Sequence, residues 1–113
     1  MSDDPAATAM ALIYCPCPSL EVATRLGGAL LDAGLAGCIN ILPGMVSLYD
    51  WKGAREEANE AVLIAKTSIG AAGRAGEFLA RDHPYEVPAI LTLRLSDVNA
   101  PYRAWLLEGI SAA

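Results

Sequence analysis

Two long strand-like runs, Cys38–Trp51 and Arg55–Ser68, meet at the turn Lys52-Gly53-Ala54 and constrain this chain more than any other feature. Each run covers 14 positions, roughly 45 Å if fully extended at about 3.3 Å per residue. A compact domain of 113 residues has a radius of gyration of about 13 Å, hence a diameter of roughly 34 Å. The hairpin must bend or overhang, and an overhanging strand edge needs another chain to pair with. The expectation is an obligate oligomer.

Composition points the same way. The chain is 54% apolar and only 19% charged, so more apolar surface than usual needs covering. Its net charge is −5 and no Lys/Arg cluster occurs, which argues against nucleic acid as a partner. The polar, acidic start Met1-Ser2-Asp3-Asp4-Pro5 lacks the pattern of a secretory leader. No apolar run reaches the length of a membrane span. Three cysteines suit a reduced cytoplasmic protein better than a disulfide framework. The expected organisation is a flexible tail over 1–8 and one domain over 9–113.

Along that domain, Ala9–Cys15 is an apolar run that Pro16 and Pro18 should end, as for a buried strand. Ser19 stands where a helix N-cap is wanted. From Leu20 to Ala33 the polar Glu21, Arg25 and Asp32 share one helical face with Gly28; Leu20, Ala23, Leu26, Leu30 and Leu31 fill the other. Gly34 is a natural stop. In the hairpin, Pro43-Gly44 should mark a bulge or bend. Ile39 and Ile41 share a face before it, and Met45, Tyr49 and Trp51 share one after it. The unbroken apolar stretch Ala61–Ala65 implies cover on both faces of the sheet. Gly70–Asp82 has helical spacing, Ala89–Leu95 alternates as a strand, and Asn99 can cap a last helix that carries Pro101 in its first turn.

The resulting β-α-β-β-α-β-α order is the α+β, ferredoxin-like arrangement with an extra C-terminal helix. Right-handed crossovers put the first two helices on one face of a four-stranded antiparallel sheet. The other face then requires cover from a second subunit.

That topology also collects chemistry. The end of Ala9–Cys15 should lie beside the start of Ala89–Leu95, bringing Cys15 and the sole histidine, His83, to one rim. A thiolate and an imidazole there can hold a soft or borderline ion, although a single histidine is more often a hydrogen-bonded structural residue. Cys17 offers a thiol two residues from Cys15, within reach only if Pro16 turns the chain; two reduced, partly buried thiols are the commoner outcome. Cys38 reads as a small core residue. Tyr49, Trp51 and Tyr85 can line a cleft between subunits or pack an interface. Lys66, inside an apolar strand, needs a carboxylate (Glu86, Asp50 or Glu60) or an anionic ligand. Dinucleotide fingerprints, P-loops and His-Glu-x-x-His are missing, and no serine neighbours His83 to build a hydrolytic triad.

Five blocks of sequence resemble the CutA divalent-cation-tolerance family. They are Gly37-Cys38-Ile39-Asn40-Ile41-Leu42-Pro43-Gly44, Ser47-Leu48-Tyr49-Asp50-Trp51-Lys52-Gly53, Ala65-Lys66-Thr67, His83-Pro84-Tyr85-Glu86-Val87-Pro88 and the pair Tyr102 and Trp105. The blocks keep the family's order and spacing from about Met10 to Leu107. The resemblance implies a homotrimer related in architecture to the PII signalling proteins, with hairpin strands pairing across subunits. It implies tolerance to divalent metals, copper especially, and no catalytic reaction or required cofactor. Copper binding in the family is attributed to a cysteine at the position of Cys15 and a His-His pair before Pro-Tyr. Asp82 stands here at the first of those histidines, a harder ligand that turns the expectation from copper(I) towards copper(II) or another divalent ion such as zinc.

The resulting expectation is a cytoplasmic homotrimer responsive to metal ions, with Cys15, Asp82 and His83 as ligands and no assigned partner protein. A PII-like sensor binding an anionic metabolite in a cleft of Tyr49, Trp51, Lys66 and Tyr85 is the alternative. A small hydrolase resembling acylphosphatases ranks last, because Pro16-Cys17-Pro18-Ser19 has no arginine for a phosphate cradle.

Overall fold

The computed structural model describes residues 9–111; the tail expected over 1–8 and the final two residues of the expected domain lie outside them. Strand β1 is Met10–Cys17, helix α1 Leu20–Asp32, β2 Cys38–Trp51, β3 Ala54–Ser68, α2 Ile69–Asp82, β4 Leu91–Arg94 and α3 Ala100–Glu108. The strands form one antiparallel sheet in the order β2-β3-β1-β4. This is the ferredoxin-like arrangement expected from the element order, with the extra helix at the C-terminal end.

Local chemistry sets the element ends. Ser19 Oγ accepts the Val22 N–H at 3.1 Å and Ser68 Oγ accepts the Ala71 N–H at 3.1 Å, so both α1 and α2 begin on a serine cap. Asn99 occupies the cap position of α3, but its side chain makes no capping bond. The hairpin turn is one residue tighter than expected, because Trp51 pairs with Ala54. Lys52 and Gly53 sit at φ 50° and 81°, the two left-handed positions of a type I′ turn, whose twist matches that of the strands.

One face of the sheet carries the core. Ile13, Cys15 and Cys17 of β1 and Leu63 and Ala65 of β3 pack against Ala23, Leu26 and Leu30 of α1 and Ala75 and Leu79 of α2. The α1 stripe is narrower than expected, since Leu20 and Leu31 stay exposed. Gly27 takes their place in the packing: a Cβ there would lie 2.7 Å from Ile39 Cγ2. A second cluster joins Met10, Ala71, Leu106 and Ile110 and holds α3 against the sheet.

The opposite face is partly bare. Val62 is buried there, but Leu42, Leu91 and Leu93 are 56, 51 and 48% exposed. The bulge between Leu42 and Met45 decides what else this face displays. Three steps on β2 match two on β3, from Leu42↔Val62 to Met45↔Glu60, so the side-chain alternation of β2 is inverted beyond Pro43-Gly44. Ile39 and Ile41 point to the core, whereas Met45, Tyr49 and Trp51 point to the uncovered face. The molecule measures 52 × 25 × 22 Å with a radius of gyration of 15.0 Å, above the value of about 13 Å for a compact chain of this length. The hairpin overhangs.

Two boundaries differ from the sequence expectation. Strand β4 covers only Leu91–Arg94, shorter than Ala89–Leu95. Strand β1 continues through Pro16, which pairs with Val62, and ends at Cys17. Proline is tolerated because the last β1 pair with β4 is Tyr14↔Leu91, so the side of β1 away from β3 is a free edge at Pro16.

Candidate functional site

That free edge is where α2 returns. Pro84 disfavours helical backbone in the residue before it, and His83 leaves the helix with φ −72° and ψ 137°. Its Nε2 lies 2.8 Å from the Pro16 carbonyl oxygen, filling the place a fourth strand would take. A carbonyl only accepts, so Nε2 carries the proton and donates. The other ring nitrogen, Nδ1, accepts the Tyr85 N–H at 3.1 Å, and the two rings sit 4.7 Å apart. His83 is 7% exposed and holds one definite tautomer.

Beneath it lie both thiols of β1. The donor atoms of Cys15, Cys17 and His83 all lie within 4.8 Å of one another, and all three residues are buried. No turn at Pro16 is needed: residues i and i+2 of a straight strand share a face, here the core face. Asp82 is exposed on the last turn of α2 and is not part of this group. Cys38, half-buried at the start of β2, is far along the sheet, where it pairs with Lys66.

The thiols do not titrate alike. The hydrogen bond between them holds Cys17 below the ordinary thiol range, against the opposing effect of burial. The same bond, followed by burial and the charges of Cys17 and Glu60, pushes Cys15 far above it.

A cavity of about 550 Å³ opens on the uncovered face of the hairpin, beside the rim. Tyr49, Trp51 and Tyr85 all line it, and so do Glu56 and Glu60. Tyr85 donates its hydroxyl to Glu60 at 2.8 Å; burial, then this carboxylate, raises the phenol well above its usual range. Lys66 is not there. It lies towards the other end of β3, donating to the Tyr102 hydroxyl at 2.9 Å with its ammonium 5.1 Å from that ring's centre. Its partner is therefore a phenol, not one of the three carboxylates expected; Asp50 is taken by Arg55 and Glu60 by Tyr85. The hydrogen bond to Tyr102 raises Lys66, outweighing desolvation.

The model of the CutA1 divalent ion tolerance protein family matches residues 11–109. The divalent-cation tolerance protein CutA of Thermus thermophilus is 41% identical over 97 residues, which span 86% of this chain and 94% of that one. Protein CutA of Mus musculus is 34% identical over 82% of this chain but only 52% of its own, so the present chain spans about half of that relative's length. The crystal structure of CutA1 from Oryza sativa superposes with a TM-score of 0.90 at 30% identity, over 96% of this chain and 99% of that one.

Proposed function

Because the chain belongs to the CutA1 divalent ion tolerance family, we propose that it is a metal-responsive cytoplasmic protein, not an enzyme, that binds a divalent cation where Cys15 meets His83. The observation that carries this reading is the convergence of buried sulfur and imidazole donors at the free edge of β1, no more than 4.8 Å apart. Metal–sulfur bonds of about 2.3 Å and metal–nitrogen bonds of about 2.0 Å reach such donors once they draw together and one ring nitrogen of His83 gives up its backbone partner. A bound cation would supply charge to hold the thiolates deprotonated and would tie the end of β1 to the end of α2.

The residues offer little for catalysis. Both nitrogens of His83 are engaged by backbone groups, which leaves no free base on the imidazole. No described helix is long and apolar enough to cross a membrane. The assembly we propose is a homotrimer, in which neighbouring copies pair with the overhanging hairpin and cover Leu42, Leu91 and Leu93.

Equilibrium dialysis against copper(II) and zinc(II) tests the metal reading. Wild type is expected to retain about one ion per chain, and the Cys15→Ala/His83→Ala double variant none; equal retention by both removes it. The alternative, an anionic metabolite in the hairpin cleft, is disfavoured by the lining. Glu56 and Glu60 face that cavity while Lys66 is held by Tyr102. A thermal-shift screen in which anionic metabolites selectively raise the melting temperature would restore it.

A further inference from the structure

We propose that Cys17 is a metal ligand, so that the rim is a two-thiolate, one-imidazole site selective for a thiophilic divalent ion of the zinc class. The inference rests on the metal reading above and deepens it. Cys15 and Cys17 leave the same face of β1, and with His83 they form the group of three donors within 4.8 Å. Asp82 stands outside on the exposed end of α2. The harder carboxylate is therefore not the third ligand, and the ligand set is soft.

Charge narrows the choice further. Cys15 and Cys17 are fully buried and His83 nearly so, so any net charge left at the site is costly. Two thiolates and one neutral imidazole carry −2, which a dication cancels and a monovalent ion leaves half-compensated. Binding sends the two thiol protons to solvent. Magnesium, calcium and manganese prefer oxygen donors in larger number than this rim provides. The donors need to close by at most about 1 Å to meet bonds of zinc length.

Cobalt(II) is the spectroscopic probe, because thiolate-to-cobalt charge-transfer absorption scales with the number of bound sulfurs. Wild type is expected to show a two-sulfur band, Cys17→Ser about half of it, and Asp82→Asn the wild-type band. Zinc affinity of Cys17→Ser, by competition with a chromogenic chelator, should fall at least about 100-fold, beyond the roughly 10–100-fold that supporting residues are worth. A Cys17→Ser protein with the wild-type band and affinity overturns the inference. If Cys15→Ser and His83→Ala lose the ion in that case, the metal reading itself survives. No cobalt or zinc uptake by folded wild type sinks both. Should Cys17→Ser not fold, X-ray absorption on zinc-loaded wild type decides: two sulfur neighbours support the inference, and one or none overturns it.

Discussion

His83 binds two backbone groups at once, and that arithmetic limits how it can take a metal. A neutral imidazole has one N–H and one lone pair. With Nε2 donating to Pro16 and Nδ1 accepting from Tyr85, neither nitrogen is available as it stands. Ligation through Nδ1 displaces the Tyr85 N–H directly. Ligation through Nε2 requires the proton to move to Nδ1, which again displaces it. Metal uptake should therefore release the Tyr85 amide whichever nitrogen is used. The check is the Tyr85 amide resonance with and without saturating zinc: it should shift and exchange faster with solvent when zinc is bound, and an unchanged signal would mean that His83 is not a ligand. The need of His83 for partners was legible in the sequence, but their identity was not, because both are backbone groups placed by Pro16 and Pro84. Cys17 was legible in principle. Its i+2 spacing from Cys15 puts both thiols on one face of a straight strand, and only the assumption that Pro16 ends the strand concealed it. Lys66 is a similar case: its need for a partner could be read, whereas Tyr102 lies 36 residues away. Tyr102→Phe should cost about 1 kcal/mol at neutral pH, measured by denaturant unfolding. The folded state raises Lys66 above its ordinary 10.5, so the bond's contribution is fully present below pH about 10.5 and is lost as pH rises through the elevated value. The gap between the two proteins should close there.

At the scale of elements, the bulge at Pro43-Gly44 decides the face on which the cleft forms. Gly44 sits at φ 75°, a conformation that side-chain-bearing residues adopt at a cost. Were the same residues paired one to one with no bulge, β2 would keep its alternation, and Tyr49 and Trp51 would face away from Tyr85. Deleting Pro43 should leave a regular strand with Leu42 still opposite Val62 and Met45 still opposite Glu60, so Trp51 emission in a Trp105→Phe background should stay unshifted and the contact of the Tyr14 hydroxyl with Met45 Sδ, now 3.2 Å, should survive. The bulge itself could be read from Pro-Gly inside an apolar strand. The docking of α3 could not. It depends on Gly37, where a Cβ would run into the Leu106 backbone carbonyl, a contact between segments about 70 residues apart. Overpacking a close approach costs about 1–3 kcal/mol. Gly37→Ala should lower stability by about that much in chemical denaturation and loosen α3 first, seen as faster amide exchange over Ala100–Glu108. Isolated glycines in a sequence do not reveal which of them another segment touches.

The whole molecule is longer than its core. Beyond the bulge, β2 and β3 pair only with each other, while β1, β4 and the helices lie towards the other end. A two-stranded hairpin alone is at best marginally stable in water. This one nevertheless displays Val46, Leu48, Tyr49 and Trp51 as exposed apolar residues. Its free edge and the uncovered sheet face are two demands that other copies of the chain would meet together in the proposed trimer. Strand length and apolar content carried that inference from the sequence, and the 52 Å long axis shows its geometric half, the overhang. The assembly half is tested by Leu93→Glu. Leu93 pairs with Leu12 across β1 and β4 and is 48% exposed in the single chain, so a carboxylate there has access to water and should cost the lone fold less than about 1 kcal/mol. Buried against a neighbouring copy, the same carboxylate meets apolar surface without a partner, a penalty repeated at every interface of a symmetric ring. Sedimentation velocity at low micromolar concentration should find three chains for wild type and smaller species for Leu93→Glu. A wild type that sediments as one stable, folded chain would show that the overhanging hairpin stands without neighbours.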